Sequence, residues 1–304
     1  MIVGSRGSPL ALRQTEIVLD HLRKLGVATE LKIVRTSGDL FLDRPMHEVS
    51  GRGIFVREID ELMLSGEIDL AVHSMKDMPT KRPNQLPIAA VLKRDSPFDL
   101  LVSRDGSTLE ELKRGAIVGT SSMRRRAQLN RARPDLVVRG LRGNLGTRLR
   151  KLNESDYDAI VVAQAGIERM GYPVESSLLD PMNFVPSPNQ GAIAVVAVGG
   201  SELEGSLSAI DDPTTRMETI AERIILDAVG GGCVVPMSAY AKRTGDELRV
   251  ISEVLSLGGE RYVRLDERIK VDNYLEESLK LGRRLVEMGG RALVEEAVRV
   301  IGPR

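Results

Sequence analysis

Apolar positions over the first 92 residues switch between two periods. "MIVG" is a short apolar run that predicts a strand. Ser8 is then placed to cap a helix and Pro9 to fill its first turn. Leu10, Ala11, Ile17, Val18, Leu22 and Leu25 recur at helical spacing until Gly26 ends the run. "TELKIVRT" predicts a second strand, Phe55, Ile59, Leu62 and Met63 a second helix, and "IDLAVHS" a third strand. Such alternation predicts a parallel or mixed sheet covered on both faces.

A second αβ set starts near Lys93. "AIVGTSS" reads as a strand feeding the helix "MRRRAQLNRA", and "LVVRGLRGN" as a strand with a glycine-rich turn. "GTRLRKLNE" is helical, and "YDAIVVAQAG" is strand then loop. Pro181, Pro186 and Pro188 form a hinge leading to the buried strand "AIAVVAVGG". Beyond it, "TTRMETIAERIILDAVGGG" has a helical apolar face, and "MSAYAKR", "ELRVISEVLSL" and "RYVRLDERIK" read as strands. In the middle one Leu248, Val250, Ser252, Val254 and Ser256 alternate with their neighbours, as in a hairpin with one packed face. Two amphipathic helices close this small α+β unit. The sequence has no internal repeat.

Composition narrows the function. The 304 residues carry 43 basic and 43 acidic side chains, which gives no global case for nucleic acid or an anionic membrane as partner. With 3% aromatics and no tryptophan, the cores must be aliphatic. One cysteine forms no internal disulfide, and the N-terminus has no secretory pattern, so the expectation is a soluble cytoplasmic protein. Charge is nonetheless uneven: from Thr120 to Arg150 there are nine arginines against the single acid Asp135. Guanidiniums in place of ammoniums favour bidentate grip on carboxylate or phosphate.

Several chemistries are missing. There is no P-loop, the glycines of "GLRGNLG" are wrongly spaced for a dinucleotide turn, and no GxSxG occurs. His21, His47 and His73 are scattered, which argues against zinc. What remains sits at strand ends. In "GTSSMRRR", Ser121 and Ser122 precede a helix whose first amides can face an anion, with Arg124 and Arg125 beside them; a plain N-cap on a solvated basic helix explains the same residues. In "AVHSMKDMP", Lys76 and Asp77 follow a buried strand, where ligands of open α/β sheets sit, or they form an ordinary turn. "SRGSPLALRQ" repeats the design with Arg6 and Ser8, which either share that cleft or simply cap. Cys233 follows Gly230, Gly231 and Gly232, which let a bulky group lie close to the backbone. No base adjoins it, so attachment suits the thiol better than nucleophilic catalysis.

Taken in order, "SRGSPLALRQ", "GRGIFVREI", "DLAVHSMKDMP", "IVGTSSMRRRAQL", "RPDLVVRGLRGNLGTRL", "YDAIVVAQAGIERMG", "PNQGAIAV" and "GGCVVPMSAY" resemble the porphobilinogen deaminase family, from residue 3 to at least residue 240. The departures are Gly230, Met123 and Asn189. The resemblance implies an α/β fold of two periplasmic-binding-protein type II-like lobes with a third small α+β domain. On that plan residues 1–92 with 188–210 form the first lobe, 93–187 the second, and 211–304 the third domain. It implies a monomeric transferase of tetrapyrrole biosynthesis that condenses four porphobilinogen molecules head to tail, releasing ammonia, and hydrolyses off the linear tetrapyrrole. Its primer is a dipyrromethane cofactor, held as a thioether at Cys233. Asp77 matches the catalytic aspartate. Arg6, Ser8, Lys76, Thr120, Ser121, Ser122, Arg124, Arg125, Arg142, Arg148 and Arg169 match cofactor- or substrate-binding positions, and Gln14, Asp39 and Phe55 match positions near the cleft. Arg126, Arg131, Arg133 and Arg150 have no such match and are left to solvent. The competing reading is a bilobed small-anion-binding or effector-sensing module without catalysis, which leaves Cys233 and Asp77 without a purpose. RNA binding by the arginine stretch lacks the aromatic stacking platforms such binding uses.

Overall fold

The computed structural model describes residues 1–36, 56–200, 203–230 and 235–301. Strand β1 (Ile2–Arg6) feeds helix α1 (Pro9–Lys24), where the Ala11 amide donates to Ser8 Oγ and Pro9 takes the first turn. Strand β2 (Glu30–Val34), helix α2 (Arg57–Leu64) and strand β3 (Leu70–Ser74) follow. A single 3₁₀ turn, Met75–Asp77, ends β3 before strand β4 (Ile88–Val91). The next set comprises β5 (Asp99–Ser103), β6 (Ile117–Gly119), α3 (Met123–Ala132), β7 (Val137–Arg139), α4 (Leu145–Glu154), β8 (Ala159–Ala163), α5 (Gln164–Met170) and β9 (Ser177–Leu178). Strand β10 (Ile193–Ala197) precedes α6 (Glu204–Ile210) and α7 (Pro213–Val229). Strands β11 (Met237–Thr244), β12 (Glu247–Leu255) and β13 (Tyr262–Lys270) lead to α8 (Tyr274–Leu285) and α9 (Arg291–Ile301).

Three sheets result. The first has the order β2-β1-β3-β10-β4, with β1 parallel to β2 and β3 and with β10 antiparallel to β3 and β4. The second has the order β7-β6-β8-β5-β9, with β6 parallel to β7 and β8 and with β5 antiparallel to β8 and β9. The two plans coincide: three parallel strands, one reversed strand, one edge strand. The repeat lies in strand order and not in residues. In each sheet the reversed strand adjoins a crossover, as "AIAVVAV" does when β10 rejoins the first sheet. Both faces of that sheet are covered, by α1 packing Val18 and Leu22 on Val3 and Leu70, and by α2 packing Ile59 and Met63 on Ala71 and Met75.

The third sheet is the meander β11-β12-β13, backed by α7, α8 and α9 around Ala221, Ile225, Val250 and Leu285. Here expectation and structure part. β12 alternates only at its start; from Val250 to Leu255 every residue is buried. Its far face carries Glu253 against α3, so the strand lies between two layers. A second difference is α5, expected as loop. It has no side-chain cap, and Gly171 in the left-handed region closes it. No described helix is long and apolar enough to cross a membrane.

The return to β10 is sterically tight. Gly191 has φ +87°, and a Cβ there would lie 2.5 Å from the Asp95 carbonyl oxygen and 2.9 Å from that of Ser96. A left-handed L-residue costs about 1–2 kcal/mol before any clash, and these obstacles are backbone. Gly191→Ala should therefore lower unfolding stability by at least about 2 kcal/mol, read as a lower urea midpoint at unchanged slope; an unshifted midpoint would show that the turn relaxes freely.

Candidate functional site

Parallel pairing of β1 with β3 brings their carboxyl ends to one edge of the sheet, where ligands of open α/β sheets bind. β1 ends at Arg6, Ser8 starts α1, and the turn after β3 carries Lys76 and Asp77. Arg6, Ser8, Gln14, His73, Ser74 and Asp77 line a pocket of about 70 Å³. Gln14, buried on α1, exchanges hydrogen bonds with Ser74 Oγ at 2.8 and 2.9 Å. Burial, then the guanidiniums of Arg82 and Arg6, push the His73 imidazole down to about 3, so it stays neutral. Asp77 is exposed to the pocket.

The second sheet supplies the opposite wall. The electrostatic neighbours of Arg148 on α4 are Arg125, Asp77 and Arg142, so Asp77 at the end of β3 lies within the field of Arg148 on the second sheet. Burial first, then the field of Arg125, pulls the Arg148 guanidinium down to about 10; Asp77 opposes and Arg142 adds to the fall. Arg148 Nε donates to the Gly143 carbonyl at 2.8 Å, which fixes its direction. Ser122 caps α3 by accepting from the Arg125 amide, its own amide donates to the Thr120 hydroxyl, and Ser121 Oγ donates to the Leu141 carbonyl. The amides expected to face an anion are thus partly engaged at home.

Arg124 and Arg125 turn inward. Arg124 lies 2.9 Å from Asp99 Oδ2 and Arg125 2.8 Å from Asp99 Oδ1, with all three side chains buried. Arg124 also donates to the Val185 carbonyl and Arg125 to that of Val161. Arg169 holds Asp95 at 2.7 Å and the Gly191 carbonyl at 2.6 Å. A ligand carboxylate reaches these three only by displacing protein partners. Two arginines expected to be solvated are not: Arg131 pairs with fully buried Glu253 at 2.9 Å, and Arg133 grips Asp135 and three backbone carbonyls. Arg150 does meet solvent, beside Glu154.

Two contributors were not singled out from the sequence, although Gln190 lies within "PNQGAIAV". Asp99 opens β5 after "SPF", and Gln190 sits in the turn before β10. Lys76 Nζ donates to Gln190 Oε1 at 3.3 Å. Burial pulls the Lys76 ammonium down to about 8, with Asp77 and Asp99 opposing and Arg125 and Arg124 contributing. Asp39, Phe55 and Cys233 lie outside the described residues.

The family model described as "Porphobilinogen deaminase, dipyromethane cofactor binding domain" matches residues 1–203, and "Porphobilinogen deaminase, C-terminal domain" matches residues 216–288. The chain belongs to the porphobilinogen deaminase family. A protein of Methanosarcina acetivorans named "Probable porphobilinogen deaminase" is 55% identical over 301 residues, covering 98% of this chain and 95% of that one. The "Porphobilinogen deaminase" of Bacillus cereus is 44% identical over 300 residues, covering 97% and 96%. Among solved structures, a nutrient-binding protein from Burkholderia cenocepacia bound to methionine aligns at TM-score 0.44 with 14% identity, over 71% of this chain and 93% of that one.

Asp99 is the acid on which the inner wall turns. Burial alone would raise its carboxyl, but Arg124 and Arg125 outweigh burial and hold it far below the usual carboxylate range. Asp99→Asn should cost about 3–5 kcal/mol, since it leaves two buried guanidiniums facing each other. The folded carboxyl lies below its unfolded value of about 3.9, so this contribution is complete above that pH and is lost on acidification. The gap between urea titrations of the two proteins should begin to narrow only below about pH 4 and close as the pH falls through the far lower folded value; a pH-independent gap would contradict the ion-pair account.

Proposed function

We infer that the protein is a hydroxymethylbilane synthase: it joins four porphobilinogen molecules head to tail, releases one ammonia for each, and frees the linear tetrapyrrole by hydrolysis. The family match across both parts of the chain carries this reading, and the mutual fields of Asp77 with Lys76 and with Arg148 support the roles given to them.

When bound as a thioether at Cys233, the dipyrromethane supplies the pyrrole carbon to which the first substrate unit is joined. The chain's own residues handle charge. Porphobilinogen carries an acetate, a propionate and an aminomethyl group. Arg6, Ser8, Arg142 and Arg148 lie where cleft-facing cations and a hydroxyl can hold the acidic arms. As the carbon–nitrogen bond breaks, its electrons leave with ammonia, and the ring becomes an azafulvenium cation. The Asp77 carboxylate, fixed on a turn locked to β3, stabilises that charge as it develops. It can also take up the proton released when the new carbon–carbon bond restores the aromatic ring.

The intact mass of the purified protein should exceed the sequence mass by two pyrrole rings, and the excess should vanish in Cys233→Ser together with activity. An unmodified mass from an active preparation would falsify the tether. Asp77→Asn keeps the shape and removes the charge, so turnover should fall roughly 100- to 1,000-fold with the adduct retained; near-normal turnover strips Asp77 of its role.

A further inference from the structure

We propose that Gln190 is a positioning residue for this reaction: from the turn before β10 it draws the Lys76 ammonium to itself, away from Asp77, and ties it to the arginine pair of the second lobe. The proposal rests on the functional reading of Asp77 above. Gln190 is 1% exposed, and its side chain bonds to Lys76 after β3 and to Pro97 and Asp99 at the start of β5. Nε2 donates to Asp99 Oδ1 and to the Pro97 carbonyl, both at 2.7 Å. Those bonds orient the amide, so Oε1 faces Lys76 Nζ at 3.3 Å and Arg125 Nη2 at 3.4 Å. The flipped amide would set its NH₂ against two cationic donors and its oxygen against a carboxylate, so only one orientation is admissible.

The backbone under Gln190 is equally constrained. Asn189 stands at φ 61°, with its amide on Glu222 at 2.6 Å and its side chain on the Thr219 carbonyl at 2.9 Å. On the other side, the Gly191 carbonyl accepts from Arg169. A residue held this way imposes its position on its partner. Charged groups around Lys76 include Asp77, Asp99, Arg124 and Arg125. Asp77 is the nearest rival for the ammonium along the chain, and a Lys76–Asp77 pair would neutralise the carboxylate that the reaction needs. The Gln190 oxygen is a neutral acceptor that favours the charged lysine without consuming that carboxylate.

The test is competitive acetylation of the purified holoprotein with acetic anhydride across pH, with Lys76 followed by peptide mass spectrometry. Loss of the acceptor in Gln190→Leu should lower the Lys76 labelling midpoint by about one pH unit. Gln190→Glu, which keeps the shape should the leucine variant fail to fold, should raise it by a similar amount. Turnover should fall at least about tenfold in Gln190→Leu, and far less when the same change is made in Lys76→Met, because the effect passes through the lysine. Unmoved midpoints in the variants that fold, or an equal loss in both backgrounds, overturn the proposal. Wild-type protein that makes no tetrapyrrole overturns the functional reading instead, while the labelling still reports on Gln190.

Discussion

One carboxylate between two guanidiniums, all three out of water, sets the electrostatics of the cleft. Asp99 cannot neutralise both Arg124 and Arg125, so one positive charge is left over in a medium that screens poorly. Its field reaches Lys76 and Arg148, and both cations have their proton affinity reduced partly by Arg125. The inner wall therefore acts at a distance. It raises the positive potential at the cleft without placing its own guanidiniums there, and that potential favours ligands bearing several carboxylates. Such a triad is held together by geometry, since desolvation works against each member singly.

The same region joins the three bodies of the fold. Arg94 grips Glu222 of α7 with two nitrogens, at 2.7 and 3.1 Å, and donates to the Gln190 carbonyl. Glu222, fully buried, also accepts from the amides of Asn189 and Ala241. Gln128 and Arg131 of α3 reach Glu253 of β12. These junctions are polar and directional where an apolar interface would be tolerant of sliding. Buried polar networks of this kind specify one arrangement when fully satisfied, which a site assembled from two lobes requires.

How much of this could be read from the sequence depended on whether the cause was local. Helix α3 has the expected span, Met123 to Ala132, because Ser122 caps it and a proline follows two residues past its end. Arg6, Ser8, Gln14 and Asp77 share a pocket because the ends of parallel strands must share an edge. The edge and reversed strands β4, β5 and β9 left no trace, being too short to show a period of their own. The inward turn of Arg124 and Arg125 was illegible for another reason. Their partner Asp99 is 26 residues upstream of Arg125, and the partner of Arg131 lies 122 residues away, so neither pairing leaves a period or motif. The burial of both faces of β12 follows from a helix of a different lobe, which no pattern within the strand records.

A carboxylate that must stabilise a transient cation cannot be spent on a permanent one. Among the described residues Asp77 forms no ion pair, although Lys76 precedes it and Arg148 lies within its field. Two local facts keep it so. Arg148 is directed to the Gly143 carbonyl, and Lys76 to Gln190. Both of these oxygens are neutral: each accepts a hydrogen bond but takes no charge. The carboxylate thereby stands among cations without a salt bridge to any of them among the described residues. It follows that the selectivity of the cleft, positive towards acidic side arms yet negative at one point, comes from where the neutral acceptors stand as much as from where the charges do.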